Sequence, residues 1–245
     1  MTVAGIALPR ILKIGGGASQ QLAEVLGSLG VSRPLVVTDS FLAGQGMVEQ
    51  LLNGLRAAEV SARVFTETVP DPTVASIEAG LAFLKDGDHD CVVGFGGGSP
   101  LDSAKAIAML AVHGGVMADY KVPHVQDAPG LPVIAIPTTA GTGSEATRFT
   151  IVTDGETDEK MLCAGLAYLP VAALVDYELT LGKPRRPGIG ASAPALAPAA
   201  LARYMRPMDH WGAGQGARWD GCSGRQGMSL PQPAPKRGSI GREPT

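Results

Sequence analysis

The sequence predicts an α/β fold, a mainly parallel sheet with helices on both faces. Three observations carry that expectation. Short apolar runs alternate with longer stretches of helical periodicity. The runs are apolar throughout rather than every second residue, as strands buried on both faces require. Two of them lead straight into loops rich in glycine and hydroxyl side chains.

Taken in order, Ile11–Ile14 is a short apolar run that leads through Gly15, Gly16 and Gly17 into a helix over Gln20–Leu29. Pro34–Thr38 is a buried strand, followed by a helix near Val48–Ala58. Ala62–Thr66 is the next strand, and Thr73–Leu84 repeats apolar residues at helical spacing. Cys91–Phe95 is a strand, Asp102–Val112 a helix and Leu131–Ile136 a strand again. Phe149–Asp154 and Glu159–Ala164 flank Gly155 and predict a hairpin, and Ala172–Val175 is a last short strand.

Charge divides the chain. Its 245 residues sum to a net charge of −3. The balance is −10 over residues 1–182 and +7 over 183–245, where both tryptophans and nine of the nineteen prolines also fall. Such a break marks a change of domain or of selection. After Lys183 the strand–helix pattern fails. Ala191–Tyr204 has the composition of an alanine-rich helix, interrupted by Pro194 and Pro198. From Pro207 onward Gly, Pro, Arg and Ser follow without periodicity, the composition of a poorly ordered tail. The reading is thus an α/β domain over 1–182 and a degenerate tail over 183–245.

With 45% apolar and 18% charged residues the chain has the composition of a soluble globular protein. No apolar run reaches the roughly 18 residues of a membrane span. Met1–Pro9 lacks the basic flank of a signal peptide. Cys91, Cys163 and Cys222 are odd in number, widely spaced and without a C-x-x-C pair, so a cytoplasmic chain with reduced thiols is expected. Neither a nucleic-acid nor a membrane partner is expected.

The strongest motif runs from Gly96 to Lys105, GGGSPLDSAK. A strand enters glycines and then a helix, with Ser99 suited to the N-cap, Pro100 to the first helical position and Asp102 to the third, as in a capping box. Glycines admit close approach of a ligand to the backbone, and free N–H groups at a helix start attract phosphate. The plainer alternative is an ordinary strand-to-helix turn. The second motif, PTTAGTGSE over Pro137–Glu145, gathers hydroxyls and glycines where a buried strand ends. That carboxyl edge is where open parallel sheets bind ligands; the alternative is a polar loop. Asp39 also follows a buried strand. A carboxylate there accepts hydrogen bonds from a ribose 2′-hydroxyl and repels a 2′-phosphate, which favours NAD over NADP; alternatively it caps the next helix. Gly15–Gly17 lacks the G-x-G-x-x-G spacing and is read as a turn.

Together the two strings resemble the signatures of the iron-containing, or group III, alcohol dehydrogenases, in the usual order and separation. The resemblance runs from about Pro9 to Pro184 and includes Asp39, the segment Val69–Thr73 and Lys160. It implies a Rossmann-like domain. It implies that Gly97, Gly98 and Ser99 bind the pyrophosphate and that Thr138, Thr139, Thr142 and Ser144 line the cofactor cleft. Asp71 then matches a residue near the nicotinamide, Lys160 a cofactor-contacting lysine on the hairpin, and Asp102 either a cofactor-site residue or a helix cap. The implied reaction is NAD-dependent hydride transfer between an alcohol and an aldehyde or ketone. The partner is then a small-molecule alcohol or carbonyl substrate, and a homo-oligomer is compatible with the family.

The resemblance breaks at the metal. The family holds iron, sometimes zinc, through one Asp and three His in a helical C-terminal domain, the first two ligands in a D-A-L-x-H string. Here that place reads Pro194, Ala195, Leu196, Ala197, Pro198, with proline at both ligand positions. His89, His113, His124 and His210 have no ligand spacing, so no metal residue is assigned. A tail read out of frame after Lys183, or a truncated relative, would explain the change. The rival functions are a non-catalytic nucleotide-binding module and a non-functional fragment. The substrate alcohol is not legible.

Overall fold

A computed structural model describes residues 7–181. The elements follow the chain as β1 (Ile11–Ile14), α1 (Leu22–Leu29), β2 (Pro34–Val37), α2 (Ser40–Gly44), α3 (Met47–Ala57), β3 (Arg63–Phe65), α4 (Val74–Lys85), β4 (Cys91–Gly96) and α5 (Gly98–His113). There follow β5 (Val133–Pro137), β6 (Phe149–Thr153), β7 (Lys160–Ala164), β8 (Ala172–Val175) and α6 (Glu178–Leu181). Six strands form one sheet in the order β1-β8-β5-β4-β2-β3, and every pairing in it is parallel. The antiparallel pair β6–β7 is the expected hairpin, with Thr153 opposite Lys160.

The apolar strands sort their side chains between two cores. Leu35, Val37, Val92 and Val133 enter one core with α4 and α5. Val36, Cys91, Val93, Phe95, Ile134 and Ile136 enter the other with α1 and α3. A strand with a core on each side has no polar face, which is why β2, β4 and β5 read as unbroken apolar runs. The edge strand β1 instead alternates, with Leu12 and Ile14 exposed.

Helix α5 lies between the sheet and the hairpin, and residues 103–110 of it are all buried. Ala104, Ala106 and Ala108 permit this by keeping the helix thin. Gly94 brings α5 close to β4: a Cβ there would stand 3.0 Å from Leu101 and 3.1 Å from Ala104. On the other flank a Cβ on Gly80 of α4 would meet Ile107 at 2.4 Å. Residues this tightly packed cost about 2–5 kcal/mol when cut back to alanine, as Ile107 would be.

Two expectations need correction. Helix α5 starts at Gly98, with Gly97 as N-cap and no side-chain cap bond. Ser99 is therefore inside the helix and Asp102 closes no capping box. The helix that follows Asp39 is α2, ahead of the one near Val48–Ala58; its five residues are too few to show a period. The expectations for residues 182–245, including the tail, the broken helix and His210, lie outside the described residues. Among the described residues no helix is long and apolar enough to cross a membrane. Cys91 and Cys163 are free and buried, and burial raises both thiol pKa values, that of Cys163 to about 11.

Candidate functional site

Strand β4 sits between β2 and β5, so the turns after these three parallel strands open at one edge of the sheet. Their residues meet there. Gly96 has φ +153°, and a Cβ on it would come within 2.6 Å of Pro100 Cγ and 3.2 Å of Leu42 Cδ1. Only glycine makes this strand-to-helix turn against the β2–α2 segment. A Cβ on Gly97 would touch Thr139 at 3.4 Å, and one on Gly98 would stand 3.0 Å from Thr142 Cγ2. The Thr138 amide donates to Gly96 O at 2.8 Å. The glycine turn and the threonine loop thus lie against each other at the same edge of the sheet. The first N–H groups of a helix have no intrahelical partner, and no side chain caps those of α5, an arrangement that attracts anions.

The remaining predicted residues fall into four sets. Asp39 is the N-cap of α2, accepting from Leu42 N at 2.8 Å through Oδ1. Thr138 is fully buried, and its Oγ1 has no hydrogen-bond partner. Asp71, at φ +52°, pairs with Lys160 at 3.2 Å, and Thr153 N donates to Pro72 O at 2.7 Å. That contact ties the β3–α4 loop to the hairpin.

Ser144 and Asp102 are brought together with each other. Ser144 Oγ donates to Asp102 Oδ1, and Ile151 N donates to Asp102 Oδ2 at 3.2 Å. The same Ser144 hydroxyl accepts from Lys105 Nζ at 2.9 Å. Lys105 is fully buried and donates also to Thr147 O at 3.2 Å and Phe149 O at 2.8 Å. Burial pushes the Lys105 pKa down to about 8 against the pull of Asp102 and Glu145. Burial likewise raises Asp102 despite Lys105, and it raises Glu145. Desolvation outweighs pairing on both sides of this cluster.

Sequence reasoning left Lys105 without a role, although a signal was present. A lysine three residues after Asp102, amid Ala104, Ala106 and Ile107, is a charge on a helix with no polar face. It also missed Asp176. This buried carboxylate accepts from Gly17 N at 3.1 Å, Ser19 N at 3.2 Å and Ser19 Oγ at 2.6 Å. The Gly15–Gly17 turn is therefore filled by an anion from within the chain.

A parallel sheet with helices on both faces and an open glycine turn at its carboxyl edge defines the Rossmann-like class of α/β domain. Comparison with known proteins makes this specific. The profile of the iron-containing alcohol dehydrogenases matches residues 9–177, and the chain belongs to that family. It is 41% identical over 189 residues to long-chain-alcohol dehydrogenase 1 of Geobacillus thermodenitrificans, covering 76% of this chain and 47% of the relative. It is 37% identical to the NAD-dependent methanol dehydrogenase of Bacillus methanolicus, covering 72% of this chain and 46% of that one. The crystal structure of sulfoacetaldehyde reductase from Bifidobacterium kashiwanohense in complex with NAD+ superposes with a TM-score of 0.70 at 29% identity, over 75% of this chain and 49% of that one. The chain thus spans about half the length of the curated relatives it matches.

Among the described residues no three His, Cys, Asp or Glu side chains converge to hold a metal ion. The described residues therefore do not fit the family's iron. The expected positions of its first two ligands, Pro194 and Pro198, lie outside them.

Proposed function

We propose that this chain supplies the NAD-binding half of an alcohol dehydrogenase, which transfers hydride between an alcohol and an aldehyde or ketone. One observation carries the reading: the start of α5, without a side-chain cap, stands against Thr139 and Thr142 at the carboxyl edge of the sheet, and we take the NAD cleft to lie there. In that cleft the amides of Gly97, Gly98 and Ser99 bind the pyrophosphate. Thr138, Thr139 and Thr142 line the path of the ribose and nicotinamide, and the free Thr138 hydroxyl gains a partner when NAD is bound. Asp39, at the end of β2, keeps Oδ2 for the adenosine ribose while Oδ1 caps α2. Lys160 and Asp71 close the nicotinamide side. NAD, when bound, accepts or returns the hydride. The chain's own residues bind and orient it and keep water from the buried strand ends.

A second reading is a nucleotide-binding module without turnover. Both prolines in the place of the first metal ligands favour it, because proline offers no ligating side chain. The domain limits proposed are 1–182 for the nucleotide-binding unit and 183–245 for the remainder.

Calorimetric titration of the purified chain with NAD, followed by an alcohol-oxidation assay with added iron or zinc, tests both readings. Binding with turnover supports the dehydrogenase, and binding alone supports the module. Absence of binding overturns both.

A further inference from the structure

Lys105 has a position that the cleft itself does not require. Its Nζ reaches into the segment that follows the threonine loop and bonds three residues there, Ser144 Oγ, Thr147 O and Phe149 O, at 2.9, 3.2 and 2.8 Å. Thr147 Oγ1 lies at 3.3 Å as a further acceptor. These atoms span the end of the loop, the connection after it and the first residue of β6. The base of the lysine sits in the central helix of the fold, one turn beyond Asp102, which holds the same Ser144 hydroxyl and the Ile151 amide. A single rigid element thus grips both ends of the connection from Ser144 to Ile151. At its other end the loop is fixed by Thr138 N on Gly96 O. Between these anchors, Ala140, Gly141 and Thr142 are exposed. Nothing else in α5 is polar and buried so deeply, save Ser103.

From this geometry we infer that Lys105 is a positioning residue: it sets the threonine loop at the height at which Thr139 and Thr142 face the start of α5. The inference rests on the reading of that cleft as the NAD site. An ammonium has three donors in a tetrahedral arrangement and no acceptor. It can therefore hold three segments at fixed separations, which an apolar side chain of the same volume cannot. Loss of one buried charge-assisted hydrogen bond corresponds to roughly a tenfold change in an equilibrium constant or more.

The charged groups facing the ammonium are Asp102 from α5, at 3.8 Å, and Glu145 from the loop segment. They set the sign of a pH test. With Lys105 held near 8 by burial, any opening of the loop that wets the ammonium returns it towards the ordinary lysine value and takes up a proton above pH 8. Rising pH from about 8 to 10 therefore disfavours opening.

Hydrogen exchange of residues 138–149 in the full chain, corrected for intrinsic rates, reads the loop directly, and titration with NAD reads its consequence. For Lys105→Met the expected result is about tenfold or greater loss of protection confined to 138–149. The dissociation constant for NAD should rise about tenfold, and saturating NAD should restore protection. In the wild type, protection of the loop should increase between pH 8 and 10, and in the variant it should not. Ser144→Ala removes only the shared hydroxyl. It decides the matter if Lys105→Met does not fold, and should loosen the same residues about threefold or more. Protection lost equally from β4 and β5, or an unchanged loop in both variants, would overturn the inference. If the loop loosens as expected but the wild type binds no NAD, the nucleotide reading falls and the hold of Lys105 on the loop stands.

Discussion

The chain makes two glycine turns after parallel strands, and they end differently. After β1, the turn that follows Gly15 points the amides of Gly17 and Ser19 at Asp176, a carboxylate contributed by the segment just after β8. After β4, no carboxylate among the described residues faces Gly96–Gly98, and the helix it opens has no side-chain cap. Both turns have the backbone freedom and the free N–H groups that bind anions. The first holds a carboxylate supplied by the chain, and in the proposed reading the second receives the phosphates of NAD. Glycine content therefore does not distinguish a binding loop from a structural turn; what faces the amides does.

The sharpest way to break this comparison is Asp176→Ala. It empties the first turn and leaves the Gly17 and Ser19 amides and the Ser19 hydroxyl buried or half-buried without a partner. The expected cost is about 3 kcal/mol of unfolding free energy, read as a lower urea midpoint. The affinity of the folded chain for NAD should not change. A weakened affinity with unaltered stability would reverse the roles of the two turns.

Gly98→Val tests the open turn. Its Cβ would stand 3.0 Å from Thr142 Cγ2 and narrow the cleft. Affinity for NAD should fall at least about 30-fold, near 2 kcal/mol, with a smaller change in stability. Equal binding by the variant would show that the phosphates do not sit there.

Asp39 sharpens the comparison, because its one carboxylate is assigned both a cap and a ligand. Asn caps a helix about as well as Asp but carries no charge. Asp39→Asn should keep the melting temperature and narrow the preference for NAD over NADP about tenfold. An unchanged preference would make Asp39 a cap alone.

The smallest effect concerns Lys160. Its pair with Asp71 is exposed, with side-chain exposures of 61% and 75%. Lys160→Ala should shift stability by less than about 0.5 kcal/mol. Any larger effect should appear in the titration with NAD, where a loss of about threefold or more marks contact with the cofactor.

Much of this was legible in the sequence for a physical reason. Strands such as β4 and β5 are buried on both faces, so their composition alone announces them, and the loops at their ends inherit that certainty. The hairpin showed through Gly155 and its flanking runs. The start of α5 was misplaced because Ser99 and Pro100 form a good local cap signal, and the turn at Gly96 and Gly97 overrode it. Asp176 was illegible for another reason. Its partner Gly17 lies 159 residues away, and no local pattern encodes a contact closed only by the finished sheet. Lys105 stood between the two cases: the misfit of a charge in an apolar helix was visible, but its acceptors were not.

The same long contact affects how the chain is made. Strand β1 has one neighbour in the sheet, β8, and the register places Ile11 beside Ala172. On a ribosome adding about 5–20 residues per second, β1 waits roughly 10–30 s for its partner. During that time its backbone edge is unpaired and Ile11, which packs against the second core in the finished sheet, is uncovered. Strands β2, β3, β4 and β5 can meanwhile pair among themselves as they emerge. Assembly of the sheet is therefore expected to end with β1, and among its strands β1 is the one a chaperone has the longest opportunity to bind.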